Sequence, residues 1–427
     1  MAKSFIRRAV AATAVAGLVV AGSTAAAGHQ TAKAASGVTI HFWNGPDTTG
    51  TVPTLISNFN KMENGKIKVV LDVQSSDTGT NFTNITRALR AGSSTTLDIF
   101  AGDVIWPAQL AGQNVLLPLD QYFPTSVQKQ YIPGTIQDVH YNGKLYGMPW
   151  FTDFGLIYYR KDLLQKYHLP VPQTWATLQT EARLLVSKKA VKEGFVFQGS
   201  QYEGLVCDAL EYVNGAGGAI YGSKSSSTTL QTAKGLQEMR SMISSGASPS
   251  AVSTYQESQT ANDFTNGTAA FARNWPYMWS LAQASKTVAG KVGVTNMMHS
   301  AGQSTAYSTL GGWWLGINKN SKNVAASVAF MKYLTSSAGQ QIYAIHGGHA
   351  VSLIAANDST PVQKALPWLA PVTAHLSIAP RPTSPVYNDI SLQMQKDFHG
   401  VLTGSMSSDK AVSDIEGFIK TAEARFH

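Results

Sequence analysis

The feature that most constrains the fold is a regular alternation of strand and helix patterns through the first part of the chain. Val38-Thr-Ile-His-Phe-Trp43 alternates in polarity and is rich in β-branched and aromatic residues, which predicts a strand. Gly45-Pro46 then turns the chain. Val52 to Met62 places Leu55, Ile56 and Phe59 on one helical face and ends at Asn64-Gly65. Ile67 to Val73 predicts a second strand, Phe82 to Ala91 a helix closed by Gly92, and Leu97 to Ala101 a third strand. Pro107 opens the next helix and Gly112 stops it. Elements alternating at this spacing build βαβ units and a mainly parallel sheet. Ligands of such sheets gather outside the carboxyl ends of the strands.

The pattern changes further on. Asn142-Gly143 is a hairpin turn signal, and Leu145 to Pro149 and Gly155 to Tyr159 are extended runs joined by Trp150-Phe-Thr-Asp-Phe154. Lys161 to Gly290 reads as mostly helical, punctuated by Pro170-Val-Pro172 and Asn214-Gly-Ala-Gly-Gly218, with a short extended piece at Ala269 to Arg273. Leu310 to Asn318 is another strand. The helix after it is capped by Ser321, and a final amphipathic helix is capped by Ser408 or Asp409. A doubly wound lobe interrupted by a second lobe produces this order, and two lobes place their ligand in the cleft between them. A chain of 427 residues buries enough core for this without staples. Cys207, the single cysteine, has no intrachain partner and reads as a small buried apolar residue.

The amino terminus has the form of an export signal. Lys3, Arg7 and Arg8 precede an apolar stretch from Ala9 to Gly22, followed by small residues with cleavage expected after Ala27 or Ala34. Loss of residues 1–34 removes four of 33 basic residues and none of 25 acidic ones, halving the formal charge of +8 to +4. The remaining basic residues form no stripe with interleaved aromatics, so no nucleic-acid partner is expected. The apolar stretch is short for a membrane span. Val20-Ala21-Gly22-Ser23 has the shape of a lipoprotein cleavage box, but Ser23 offers no thiol for a lipid.

Two carboxylates stand near strand ends: Asp103 after the third strand, and Asp153 between the two extended runs. Around the same expected cleft the sequence scatters Trp106, Trp150, Phe151, Trp275, Tyr277, Trp279, Trp313 and Trp314. Ionised carboxylates make strong hydrogen bonds with hydroxyls. Aromatic faces pack on the C–H face of a pyranose, and Arg381 within Pro380-Arg-Pro382 offers a rigid donor fork. A neutral polyol suits this set. The residues leave other readings open. Asp103 and Asp153 as an acid–base pair would make a glycosidase, Tyr158-Tyr159 could bind ferric iron, and carboxylates with aromatics could hold a polyamine. Asp103 could also merely cap a helix. His346-Gly-Gly-His349 reads as a turn rather than a metal site, and no cofactor or metal is expected.

Gly143-Lys-Leu-Tyr-Gly-Met-Pro149, Thr152-Asp153 and Leu156-Ile-Tyr-Tyr-Arg-Lys-Asp-Leu-Leu164 resemble the central signature of extracellular solute-binding protein family 1, of carbohydrate ABC importers. Asp98-Ile-Phe100, Asp103-Val-Ile-Trp106, Phe264-Thr-Asn-Gly-Thr-Ala-Ala270, Asn274-Trp-Pro-Tyr277, Leu310-Gly-Gly-Trp313-Trp-Leu-Gly-Ile317 and Ala379-Pro-Arg-Pro382 follow in the family's order. The pattern resembles the trehalose/maltose-binding branch most. The resemblance implies an α/β, two-lobed periplasmic-binding-protein-like fold (type II) with the ligand cleft between lobes joined by hinge segments. It implies lobes of 38–150 with 308–348, and 151–307 with 349–427. By the same resemblance Asp103 and Asp153 would accept from sugar hydroxyls, Trp275, Tyr277 and Trp313 would stack, Gly312 would approach closely, and Arg381 would donate. Phe151 stands where relatives carry tyrosine, Asn44 or Asp47 where they often hold glutamate, and Trp106 lies beside the site. The implied function is capture of an oligosaccharide such as maltose, maltodextrin or trehalose, without catalysis. The implied setting is a monomer at the cell surface that delivers sugar to ABC permease subunits.

Overall fold

The computed structural model describes residues 37–427 except 93–96, 223–224, 383, 385 and 426–427. The expected export signal and Ser23 lie outside the described residues. Strands β1 (Val38–Asn44), β2 (Ile67–Val73) and β3 (Ile99–Asp103) pair in parallel with β1 in the middle. The helix Thr51–Met62 between the first two buries Val52, Leu55, Ile56 and Phe59, the face its periodicity predicts. The helix Thr78–Arg90 starts earlier than expected because Asp77 accepts from the Thr80 amide as an N-cap. Asn142 and Gly143 both take positive φ, the backbone of a tight hairpin turn, between β4 (His140–Tyr141) and β5 (Lys144–Leu145).

β6 (Met148–Phe154) then leads through Gly155 into a second sheet of β7 (Leu156–Arg160), β8 (Glu193–Val196), β9 (Ala269–Asn274) and β10 (Val292–Thr295), ordered β10-β7-β9-β8. The chain returns to the first sheet with β11 (Ser308–Ile317), β12 (Ala350–Val351) and β13 (Ile378–Ala379). That sheet runs β12-β6-β11-β3-β1-β2, with β13 on β11.

Several expectations are corrected here. The first sheet is mixed rather than mainly parallel: β11 lies antiparallel to both β3 and β6. The reason is connectivity, since β6 leaves for the second sheet and β11 comes straight back from it. Trp150 to Phe154, expected as a joining segment, continues β6; it is flanked by β11 and β12, and every residue of β6 is buried. The mostly helical middle also contains β8 and β10. The helix Tyr387–Thr403, which packs beside the helix Glu203–Gly215, carried no expectation. The expected helix after Ser321 begins at Val324 and is broken at Ser336, whose side chain caps Ser337–Gly347. Among the described residues no helix is long and apolar enough to cross a membrane.

Candidate functional site

The parallel strands β1, β2 and β3 end on the same edge, and a cleft opens there. Its wall takes the loops after β1 and β2 together with Asp103, the last residue of β3. β11 extends the row sideways. Trp313 sits directly opposite Asp103 on β3 and opposite Phe151 on β6, while Gly311 sits opposite Asp153. An irregularity in the β6 register separates Trp313 from Trp314. Trp313 lines the cleft and Trp314 is buried, its Nε1 donating to the Asp103 carbonyl at 2.9 Å. Facing this row, at the end of β9, come Trp275 and Tyr277, with Glu203 and Glu257 from two helix starts. The cleft measures roughly 1130 Å³, counting its open mouth.

Glycine is required beside the tryptophans. Gly312 has φ +119°, and a Cβ there would lie 2.6 Å from the Phe151 carbonyl oxygen. A Cβ on Gly311 would come within 2.9 Å of the Trp275 ring. Tyr158 anchors the Trp275 loop from below, its hydroxyl donating to the carbonyls of Trp275 at 2.9 Å and Pro276 at 3.0 Å. Tyr158 therefore braces the cleft wall from the core and does not face the cleft.

The polar groups form two clusters. Arg381 is 4% exposed, and its fork donates to both oxygens of Asp103, to Glu203 Oε1 at 3.0 Å and to the Leu310 carbonyl at 3.3 Å. Glu203 also accepts from the hydroxyls of Tyr387 and Ser391. Burial raises the Glu203 carboxyl above its ordinary range, and the Arg381 charge opposes that rise. In the second cluster His349 stacks on Tyr343 with centroids 4.6 Å apart, and its Nδ1 lies 3.3 Å from Asp153 Oδ1. The Tyr277 hydroxyl is buried without a hydrogen-bond partner of good geometry, and burial raises its pKa. Burial likewise raises the Glu257 carboxyl.

Asp103, Phe151, Asp153, Trp275, Tyr277, Gly312, Trp313, Arg381, Asn44 and Asp47 all line this one cleft. Trp106 does not. It is buried behind the row, edge-on to the Trp313 ring with centroids 5.9 Å apart, and so backs that ring. Trp150 and Trp314 are core residues, and Trp279 turns its Nε1 to the Ala365 carbonyl. Asp47 lines the cleft with its carboxylate already engaged, accepting from Thr49 and from the Val52 amide. Glu203, Glu257, Tyr343 and His349 were not anticipated as cleft residues. Gly348 does make the expected turn, in a left-handed helix cap. Cys207 lies in the cleft floor with its thiol held protonated by burial. Among the described residues no cluster of His, Cys, Asp and Glu has the makings of a metal site.

Chemically the cleft offers aromatic faces on both walls and acceptor oxygens between them. Arg381 is the sole arginine or lysine on the lining among the described residues, and it is already paired. Asp103 Oδ1 also accepts from the Ile105 amide at 3.3 Å, whereas Oδ2 holds Arg381 alone and keeps a second lone pair, so Asp103 can accept from a ligand hydroxyl through Oδ2 while it holds Arg381. A neutral ligand rich in hydroxyls fits these groups better than an anion.

Comparison with known proteins gives a consistent picture. The family model described as bacterial extracellular solute-binding protein matches residues 45–341. A probable ABC transporter-binding protein of Deinococcus radiodurans is 33% identical over 341 residues, covering 77% of this chain and 80% of its own. The maltose-bound MalE3 structure of T. maritima is 32% identical with a TM-score of 0.83, covering 90% of this chain and all of that one. An ABC transporter solute-binding protein of Thermotoga lettingae bound to α-D-tagatose shares the fold at 22% identity and TM-score 0.78, over 90% of this chain and 99% of that one.

Proposed function

Because the chain belongs to the family of bacterial extracellular solute-binding proteins, we propose that it captures a gluco-oligosaccharide outside the cell and passes it to an ABC permease. Maltose, a maltodextrin or trehalose is the ligand class that best suits the cleft. The observation that carries this reading is the convergence of Trp313 and Asp103, paired on one sheet, with Trp275 and Tyr277 at the end of the other. Rings on both walls sandwich the apolar faces of a sugar, and Asp153, Asp103 and Glu257 accept from its hydroxyl rim. The maltose held by the similar T. maritima protein supports the same class.

In this reading a lobe built on the first sheet closes on a lobe built on the second, and the ligand favours the closed form because it touches both. The Asp103–Arg381–Glu203 ladder spans from β3 to the helix Glu203–Gly215, and Ser76 Oγ donates to Gln256 Oε1 at 3.2 Å across the cleft mouth. These contacts belong to the closed state. The protein works as an exported monomer and does no chemistry on the sugar. Asp103 and Asp153 make a poor acid–base pair for a hydrolase, since both oxygens of Asp103 are tied to Arg381.

Prolonged incubation with maltose or trehalose, followed by chromatography of the sugars, tests the non-catalytic part. The sugar should be recovered intact while tryptophan fluorescence changes saturably with its concentration. Release of glucose would replace this reading with the hydrolase.

A further inference from the structure

Behind the Trp275 ring lies a buried cation. The Arg273 guanidinium carbon is 4.0 Å from the ring centroid, and Arg273 is 1% exposed. Its Nε and Nη2 donate to the two oxygens of Glu211 at 2.9 and 2.6 Å, and Nη1 donates to Gln198 Oε1 at 2.9 Å. Asp208 lies 3.0 Å from Nε. The fork and the stacked plane together are available to arginine and not to lysine.

Glu211 has a second set of neighbours. It accepts from the Thr309 amide at 3.2 Å, and the adjacent Ser308 hydroxyl donates to the Gly155 carbonyl at 2.8 Å. Gly155 is where β6 passes into β7, and Ser308–Thr309 is where the chain returns to the first sheet. A Cβ on Gly155 would fall 1.8 Å from Glu211 Oε1 and 2.7 Å from Arg273 Nη2. The ion pair thus presses against both strand crossings and against the rear face of a cleft tryptophan.

We propose that Arg273 is a positioning residue for ligand binding: it holds the Trp275 ring as a platform and, through Glu211, ties that platform to the two crossings between the sheets. Its effect on a sugar rests on the oligosaccharide reading above; the coupling itself rests on the geometry. The test is a double-mutant cycle in the full-length protein with maltose as probe, using wild type, Arg273→Lys, Trp275→Ala and the double variant. Arg273→Lys should weaken maltose binding about tenfold, the size of a lost desolvated cation–π contact, and should change affinity less than about twofold once Trp275 is alanine. Equal weakening in both backgrounds would overturn the proposal, because it would mark a general structural role. Should Arg273→Lys fail to fold, Glu211→Gln enters the same cycle with the same expectation. If wild type binds no maltose, the oligosaccharide reading fails, and the ligand-free protein decides the coupling. The emission of Trp275, taken as the difference between wild type and Trp275→Ala, should shift in the Arg273→Lys background. An unshifted difference spectrum would overturn the proposal.

Discussion

Trp313 gains its place from two neighbours that cannot change size. Its partner on β3 is Asp103, and the residue before it, Gly312, sits at φ +119° with the Phe151 carbonyl where a side chain would go. Trp313→Ala should weaken binding of a glucoside by about 2–4 kcal/mol, the range of a large aromatic removed from the centre of a binding site. Calorimetry of the variant checks this, and unchanged affinity would place the ring outside the site. Gly312→Ala should lower the melting temperature as well as the affinity, since it adds about 1–3 kcal/mol of backbone strain before any clash. Asp103→Asn is a different kind of change. It leaves Arg381 buried with Glu203 as its remaining carboxylate, so it should destabilise the protein as well as weaken ligand binding. A variant with wild-type melting temperature would contradict the ladder as drawn.

At the scale of elements, what the sequence could reveal was local pattern. The alternation in β1, the extended run of β2 and the face of the helix between them are short-range properties, and they are found where expected. Asp103, Trp313 and Arg381 were also recognisable, through motifs in a fixed order. So were Phe151, Asp153, Trp275, Tyr277 and Gly312, whereas Glu203, Glu257, Tyr343 and His349 were hidden for physical reasons. Glu203 and Glu257 look like ordinary first-turn acids of helices, and only tertiary packing brings Glu203 under Arg381 and Tyr387. His349 follows a helix-ending glycine pair, and no periodicity tells that it stacks on Tyr343. The mixed sheet was equally hidden, because the sense of β11 depends on a connection through the whole second sheet. Gly155 is the tightest point in that connection. Gly155→Ala should cost several kcal/mol by pushing the Glu211 carboxylate off Arg273, roughly the cost of breaking a buried pair. Denaturant unfolding measures it, and a neutral result would show that the crossing has room.

For the whole molecule, net charge proves a poor guide to partners and carboxyl burial a better guide to behaviour. Burial pushes the Glu181 carboxyl up to about 7, and burial with the charge of Asp263 pushes Glu193 up to about 7. Groups with folded-state values above their unfolded ones hold extra protons in the native state. Their contribution is complete below the ordinary carboxyl range and is lost as pH rises through about 7. Melting temperature should therefore be higher at about pH 5 than at about pH 8; a flat or rising profile over that interval would contradict this. The central proposal is that this protein closes on a glucoside held between Trp313 and Trp275. Titration calorimetry of the wild-type protein with maltose, maltodextrins and trehalose tests it most directly. The account predicts saturable one-to-one binding of at least one of them, abolished or sharply weakened in Trp313→Ala. Absence of heat with every glucoside at high concentration would contradict it.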